Sequence, residues 1–553
     1  MSLAEAAALE NWTPPFQELL LKKGLAEEQK RRLFLAPDLK NLYDPFLMAG
    51  MRQACQRLTQ ARDRKEKVFI HGDYDVDGVT GAAIAAHTLK LFGIEHTVFL
   101  PERARDGYGV SEAAIRRAAE SGCKVLMTVD CGVAAHSAMN LARELGLDTV
   151  IVDHHRISAE GLPPAAAILN PQREDCLYPF KELSAGGLAF KLAQALLGDK
   201  AFAFLDLAAL STVCDVAPLI DENRIIVKAG LKKLSTEPGV GLAALVQSAG
   251  IKTKTINTGH LGFNLGPRIN ACGRMSTPDI ALRLLMTNHP GESASLARVL
   301  EEENKSRQQE ERMTVKEAIA EAERTFHFNR DRVIVVARRG WHEGVIGIVA
   351  ARLVDRFYRP AIVIALKDGA AGKGSGRSIK GFNLFEAMAS AKDCLTAFGG
   401  HEQAAGLSIQ EDQVANFRKK INGYALEKTS AEIFVKKTAC DLELSLEDLS
   451  EKLLAELSLL EPHGAGNPRP VFKTSGLCVK GRPWQKSPQV VQFWVTDGVR
   501  TCEASYYAPE SQTPKLEEGD LLDIHYNVRT YMMSGVTAMS LDVKTFCQSI
   551  PSL

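Results

Sequence analysis

The stretch HGDYDVDG (71–78) sets Asp73, Asp75 and Asp77 at alternate positions ahead of a glycine. Carboxylates in that pattern can be the first half of a calcium-binding EF-hand loop, a solvated acidic turn, or the floor of a metal-dependent active site. An EF loop starting at Asp73 needs a bidentate carboxylate at its twelfth position, and that residue is Ile84. It would also follow a helix, whereas this turn follows the β-rich run KVFI (67–70). Both points argue against a calcium clip. Two further clusters bear on the choice that remains. Asp130 closes KVLMTVD (124–130), and Asp153, His154 and His155 close DTVIVDHH (148–155). If these runs are strands of one parallel sheet, the clusters stand together at the carboxyl ends, where open α/β sheets bind ligands. Such a concentration of carboxylates repels itself unless cations neutralise it. Oxygen donors with one or two imidazoles suit Mn2+ or Mg2+, and two ions bridged by a carboxylate form an arrangement that hydrolyses phosphoesters.

The elements that must position these groups follow from pattern. KVFI, HTVFLP (96–101), KVLMTVD and DTVIV alternate with helical stretches, which indicates a parallel α/β sheet. Ser111 is placed to cap the helix SEAAIRRAAESG. Helices are expected to dominate 184–250. A charged helix over about 292–326, with mixed signs at i, i+4 spacing, reads as a connector. A second α/β unit starts at RVIVVAR (332–338), and β-rich runs from about 436 suggest a small barrel or sandwich. The expected organisation is a helical segment (1–65), a parallel-sheet domain (66–290), a connector helix (291–330), a second α/β domain (331–430) and a β-rich domain (431–553).

The 67 basic and 67 acidic residues cancel, so any nucleic-acid binding must use local patches. The 11 cysteines form no C-x-x-C pair, which argues against a disulfide framework or zinc module and for a reducing cytoplasm. MSLAEAAALENWTPP shows no basic and apolar leader, and VIGIVAARLV (345–354) is too short and too interrupted to span a bilayer.

HGDYDVDG, TVDCG (128–132), DHH (153–155) and STVCDVAPL (211–219) resemble the metal-binding motifs of the DHH phosphoesterase superfamily. GPRINACGRM (266–275), GWHEGVIGIVAARL (340–353), SGRSIKGFNLFEA (375–387) and GGHEQAAG (399–406) resemble the RecJ-type single-stranded-DNA exonucleases. The likeness runs over roughly 66–550, in family order. It implies a DHH domain, a DHH-associated α/β domain and an OB-like barrel. It also implies a two-ion Mn2+ or Mg2+ site built from Asp75, Asp77, Asp130, His154 and Asp215, with Asp130 bridging. His155 would face the substrate phosphate as donor or general acid, and Asp153 would orient a histidine. Either His71, four residues before Asp75, or Asp73 would complete the first site. The implied activity is 5′→3′ hydrolysis of single-stranded DNA to mononucleotides in DNA repair and recombination, in the cytoplasm and away from membranes. Single-strand-binding protein and a helicase are candidate partners. The alternatives are a DHH phosphodiesterase acting on nanoRNA, cyclic dinucleotides or nucleoside bisphosphates, and a non-catalytic replication scaffold. The β-rich domain favours a polymer substrate, and intact ligands argue against the scaffold.

Arg268 and Arg274 in GPRINACGRM suit phosphate oxygens, or else tie a structural loop by salt bridges. GKGSGRS (372–378) reads as a Gly-rich turn whose Ser375 and Arg377 could cradle a phosphate, although it lacks P-loop spacing. His401 is expected on a turn opening a helix, as an anion contact or merely a capped start. His342 in GWHEG is a further candidate for substrate contact. In the β-rich domain Trp484, Phe493, Trp494, Tyr526 and Tyr531 lie near Arg482, Lys486 and Arg529. OB folds hold single strands on aromatic platforms with basic neighbours. Alternation puts Phe493 and Trp494 on opposite faces, so at most one of them can be exposed.

Overall fold

In the computed structural model, which describes residues 12–102, 109–508, 514–533 and 536–548, five strands form a wholly parallel sheet. These are β1 (Val68–Gly72), β2 (His96–Phe99), β3 (Val125–Val129), β4 (Asp148–Val152) and β5 (Ala167–Leu169), in the order β2-β1-β3-β4-β5. β1, β3 and β5 are buried along their whole length, as expected of a sheet covered on both faces. Helices Val76–Phe92, Glu112–Glu120 and His136–Glu144 provide the connections, and Ser111 caps the second as its sequence suggested. The leader reading of the first eleven residues lies outside the described residues.

Packing divides the chain into two units. One holds residues up to 266, 281–294 and 438 onward. The other holds 267–280 and 295–437.

In the first unit the C-terminal strands β12 (Phe472–Ser487), β13 (Val490–Thr496), β14 (Thr501–Tyr507), β15 (Leu521–Met533) and β16 (Val536–Gln548) pair in the order β12-β13-β14-β16-β15. β15 also pairs with β12, which closes a barrel; a short strand β11 (Leu442–Glu443) flanks it. Register shifts in β12 bend it between its two partners. The barrel does not fill its own core. Phe16, Leu19 and Leu20 of the helix Pro14–Lys22, with Leu25 and Leu35, join Leu446, Leu453, Phe472, Phe493 and Tyr526 in one apolar cluster. EEQKRRLF is largely exposed, as its charges suggest. Arg224, on the helix Asp221–Thr236, is 1% exposed. Its guanidinium donates to the carbonyls of Phe34, Leu459, Leu460, Glu461 and Pro462 and stacks 4.0 Å over Phe34.

The second unit carries a sheet ordered β6-β7-β8-β10-β9, made of β6 (Ile334–Arg339), β7 (Ala361–Lys367), β8 (Ala370–Arg377), β9 (Leu395–Gly400) and β10 (Ala404–Ile409). β6 and β7 are parallel and the remaining pairs antiparallel. The charged stretch forms a single helix, Pro290–Thr325. Among the described residues, no helix is long and apolar enough to cross a membrane.

Candidate active site

The acidic turn begins where β1 ends. Gly78 allows it to close, since a Cβ there would lie 2.5 Å from the Asp73 backbone. Asp75 caps the helix Val76–Phe92, accepting from the amides of Asp77 at 2.9 Å and Gly78 at 3.1 Å. Asp77 is buried in the first turn of that helix. It accepts from the amides of Ala185 (2.8 Å) and Gly186 (2.9 Å), at the start of the helix Ala185–Leu197, and from the Ser211 hydroxyl. Helix-terminal amides favour negative charge there.

Asp130 follows β3 with φ 65°, and Val216, next to Asp215, has φ 60°. Side chains held in that region cost about 1–3 kcal/mol each and are concentrated at functional sites. His154, at the end of β4, reaches three carboxylates. Its Nε2 lies 3.3 Å from Asp130 Oδ1 and 3.7 Å from Asp77 Oδ2, and its Nδ1 lies 3.8 Å from Asp215 Oδ2. Donor atoms fall within 4.8 Å of one another in three groups: Asp73, Asp75 and Asp130; Asp77, His154 and Asp215; and Asp130, His154 and His155. Asp130 belongs to two of them. His71 belongs to none; its Nδ1 lies 3.6 Å from Cys131 Sγ and its ring tilts against Phe99. Asp153 accepts from the Val133 amide at 2.9 Å, the His155 amide at 3.1 Å and His155 Nδ1 at 2.7 Å.

Charge is crowded here. Burial, then Asp77, Asp75, Asp73 and Asp153, hold the Asp130 carboxyl well above the usual range. Burial and Asp77 raise Asp75, and burial with Asp77 and Asp75 pushes Asp215 up to about 8. Burial opposes charge on His155, but the Asp153 carboxylate outweighs it and lifts the imidazole to about 9. Asp130 Oδ1 is buried and accepts no hydrogen bond from the described residues. An oxygen-rich donor set of this kind, with one or two imidazoles, fits hard divalent cations.

In the second unit GKGSGRS is not a turn but most of β8. Gly372, Gly374 and Gly376 face the core, where a Cβ would press on Leu366, Leu407 and Leu384. Lys373, Ser375 and Arg377 alternate with them on the other face. Arg377 donates to the Ser375 hydroxyl (3.3 Å), and a Cβ on Gly347, in the first turn of the helix Ile346–Phe357, would lie 3.0 Å from Ser375 Oγ and 3.3 Å from Arg377 Nη2. His342 Nδ1 accepts from the Gly344 amide at 3.0 Å, and Arg274 donates to the Gly344 carbonyl at 3.3 Å. Arg274, His342, Ser375 and Arg377 therefore all abut Gly344–Gly347. Arg268 is mostly buried and pairs with Glu301 at 2.6 Å, the salt-bridged alternative. No helix opens at His401. It sits in the β9–β10 hairpin, its amide bonded to the Ala404 carbonyl at 2.8 Å, and Ala404 pairs with Arg377. The Gly-Gly pair ends a strand rather than starting a helix.

On the barrel, Phe493 and Tyr526 are core residues, Tyr526 bonding Thr474. Trp484, Trp494 and Tyr531 are each about 40% exposed. Trp494 pairs across the sheet with Lys480 and Glu503, and the Tyr531 hydroxyl lies 3.3 Å from Glu503.

Three family models match the chain: the DHH family N-terminal domain over residues 67–212, the DHHA1 domain over 330–427 and the RecJ OB domain over 440–545. The single-stranded-DNA-specific exonuclease RecJ of Bacillus subtilis is 42% identical over 83% of this chain. The RecJ of Dickeya dadantii is 33% identical over 82% of this chain and 82% of its own length. The chain belongs to the RecJ family. It spans 58% of the length of the Bacillus subtilis relative. The crystal structure of Thermus thermophilus RecJ in complex with Mn2+ superposes with a TM-score of 0.84 at 27% identity, covering 99% of this chain and 78% of that one.

Several supports of this RecJ-family centre escaped the sequence reading. Ser211 and the amides of Ala185 and Gly186 hold Asp77, and Asn170 donates to the His155 carbonyl at 2.9 Å. Asn170 had a signal, because it follows β5 at the same edge of the sheet as the aspartates. The Asp77 supports come from more than a hundred residues away and had none.

Proposed function

We propose that this chain is a metal-dependent exonuclease that degrades single-stranded DNA from its 5′ end to 5′-mononucleotides, acting in DNA repair and recombination in the cytoplasm. One observation carries the reading: in a chain of the RecJ family, three metal-competent groups meet at Asp130 and His154 on the carboxyl edge of a parallel sheet. Asp73, Asp75 and Asp130 would hold one Mn2+ or Mg2+, and Asp77, His154 and Asp215 a second, with Asp130 shared; Asp73 rather than His71 completes the first. Bound cations supply an activated water and stabilise negative charge on the phosphorus oxygens. Asp153 fixes His155, whose protonated ring then presents a donor to a non-bridging oxygen or to the leaving group. Arg377, Ser375 and the first turn of the helix Ile346–Phe357 form a phosphate cradle of guanidinium, hydroxyl and helix-terminal amides. His342, Arg274 and His401 line the same end of that unit, and Arg268 braces it. Trp484, Trp494 and Tyr531 offer rings on which successive bases stack. Single-strand-binding protein and a helicase are the protein partners such an activity would meet.

Digestion of 5′- and 3′-labelled single strands and of blunt duplex, with Mn2+, Mg2+ or EDTA, tests the reading. The expected result is cation-dependent release of mononucleotides from the 5′ end of the single strand alone. Release from the 3′ end, or undiminished hydrolysis in EDTA, would overturn it. Preference for a cyclic dinucleotide over a polymer would favour the small-substrate alternative.

A further inference from the structure

Phe263 is 84% exposed, although its chain neighbours Leu261 and Leu265 are fully buried. Isolated exposed apolar side chains are ordinary on a protein surface. Two features set this one apart. It sits in a single turn of π-helix, Leu261–Leu265, closed by the Gly266 amide on the Leu261 carbonyl. Such turns are rare and recur at functional sites. With Leu261 and Leu265 both turned inward, the residue midway between them is directed outward.

The second feature is what this turn rests on. The Cys214 thiol donates to the Leu261 carbonyl at 3.6 Å. A Cβ on Gly266 would lie 2.5 Å from Cys214 Sγ, and one on Gly262 would lie 3.8 Å from Val213. Val213 and Cys214 end the helix that Asp215 caps. On the other side of Asp215, Val216 is 70% exposed in a backbone conformation that β-branched residues avoid. Two exposed apolar residues are thus tied to the segment that carries Asp215: Val216 directly after it, and Phe263 on a turn packed against Val213 and Cys214 just before it.

We propose that Phe263, with Val216, forms an apolar shelf beside Asp215 that stacks a nucleobase of the strand held at the metal centre. The inference rests on the nuclease reading and specifies how that site grips a nucleotide without reading sequence. Every base has an apolar face, so the shelf is tolerant of base identity.

The test compares strands carrying a normal or an abasic residue at each of the first three 5′ positions. Wild type, Phe263→Ala and Phe263→Trp are measured both for digestion with Mn2+ and for anisotropy-detected binding in an Asp130→Asn background. At one position, wild type should lose about tenfold in KM or Kd when the base is removed, the scale of one base–aromatic stack. Phe263→Ala should show that loss on the normal strand and no further loss on the abasic one, with kcat and Mn2+ affinity unchanged. Phe263→Trp should restore wild-type behaviour. Equal losses for Phe263→Ala on normal and abasic strands at every position, or no loss, would overturn the shelf. Wild type that binds strands but never cleaves them would instead sink the nuclease reading, while the binding arm still decides the stack.

Discussion

Asp130 Oδ1 lies 3.3 Å from His154 Nε2, so side chains from the carboxyl ends of two adjacent strands, β3 and β4, meet at one point. Asp130 also shares a group with Asp73 and Asp75. In the proposed two-ion arrangement it is the shared ligand, so its loss should damage both cation positions at once.

Asp130→Ala should lower hydrolysis by roughly a thousandfold or more, given what charge stabilisation contributes at such sites. Strand binding by the barrel should persist. Steady-state digestion and anisotropy on the same preparation check this, and retention of more than about a tenth of wild-type turnover would refute the shared-ligand assignment.

Asp153→Asn should shift the alkaline limb of the pH–rate profile downward. The imidazole of His155 stands at about 9 because Asp153 favours its charged form. A group with a raised value carries its proton below that value and loses it above. Without the Asp153 carboxylate, only the smaller contributions of Asp215 and Asp77 oppose burial, and the proton leaves at lower pH. An unshifted alkaline limb in kcat would mean that His155 does not act as the protonated donor.

Trp494→Ala and Phe493→Ala should separate, although the residues are adjacent. Trp494 is exposed on the outer face, so its loss should weaken single-strand binding by about 1–3 kcal/mol and leave stability nearly unchanged. Phe493 is fully buried, and its truncation should cost about 3–5 kcal/mol of stability. Urea melts beside binding isotherms distinguish the two, and a shared profile would contradict the facing of β13.

Arg224→Met should destabilise the first unit by about 3 kcal/mol or more, because five backbone carbonyls lose a charged donor in a buried site. Removing residues 12–36 should destabilise the barrel as well, each buried leucine or phenylalanine contributing about 1.5–3 kcal/mol. Unchanged unfolding midpoints would show that the shared core is not needed for stability.

The chemistry was legible in the sequence where it follows from local rules. Strands of KVFI type place the next polar residue at a sheet edge, so three acidic clusters at the ends of such strands imply a cation site. Alternation alone sorted Phe493 from Trp494. Other features depend on contacts between distant segments, which periodicity does not encode. The glycines of β8 looked like a turn because only the packing of Leu366, Leu407 and Leu384 against that strand reveals why side chains are absent. His401 looked like a helix start because Gly-Gly serves equally well at the end of a strand. The approach of Asp73 to Asp75 and Asp130, the grip of Ser211 on Asp77, and the sharing of one core by the N-terminal helices and the barrel were likewise tertiary decisions. Each turns on which surfaces meet, and a polar or apolar residue carries no record of its partner.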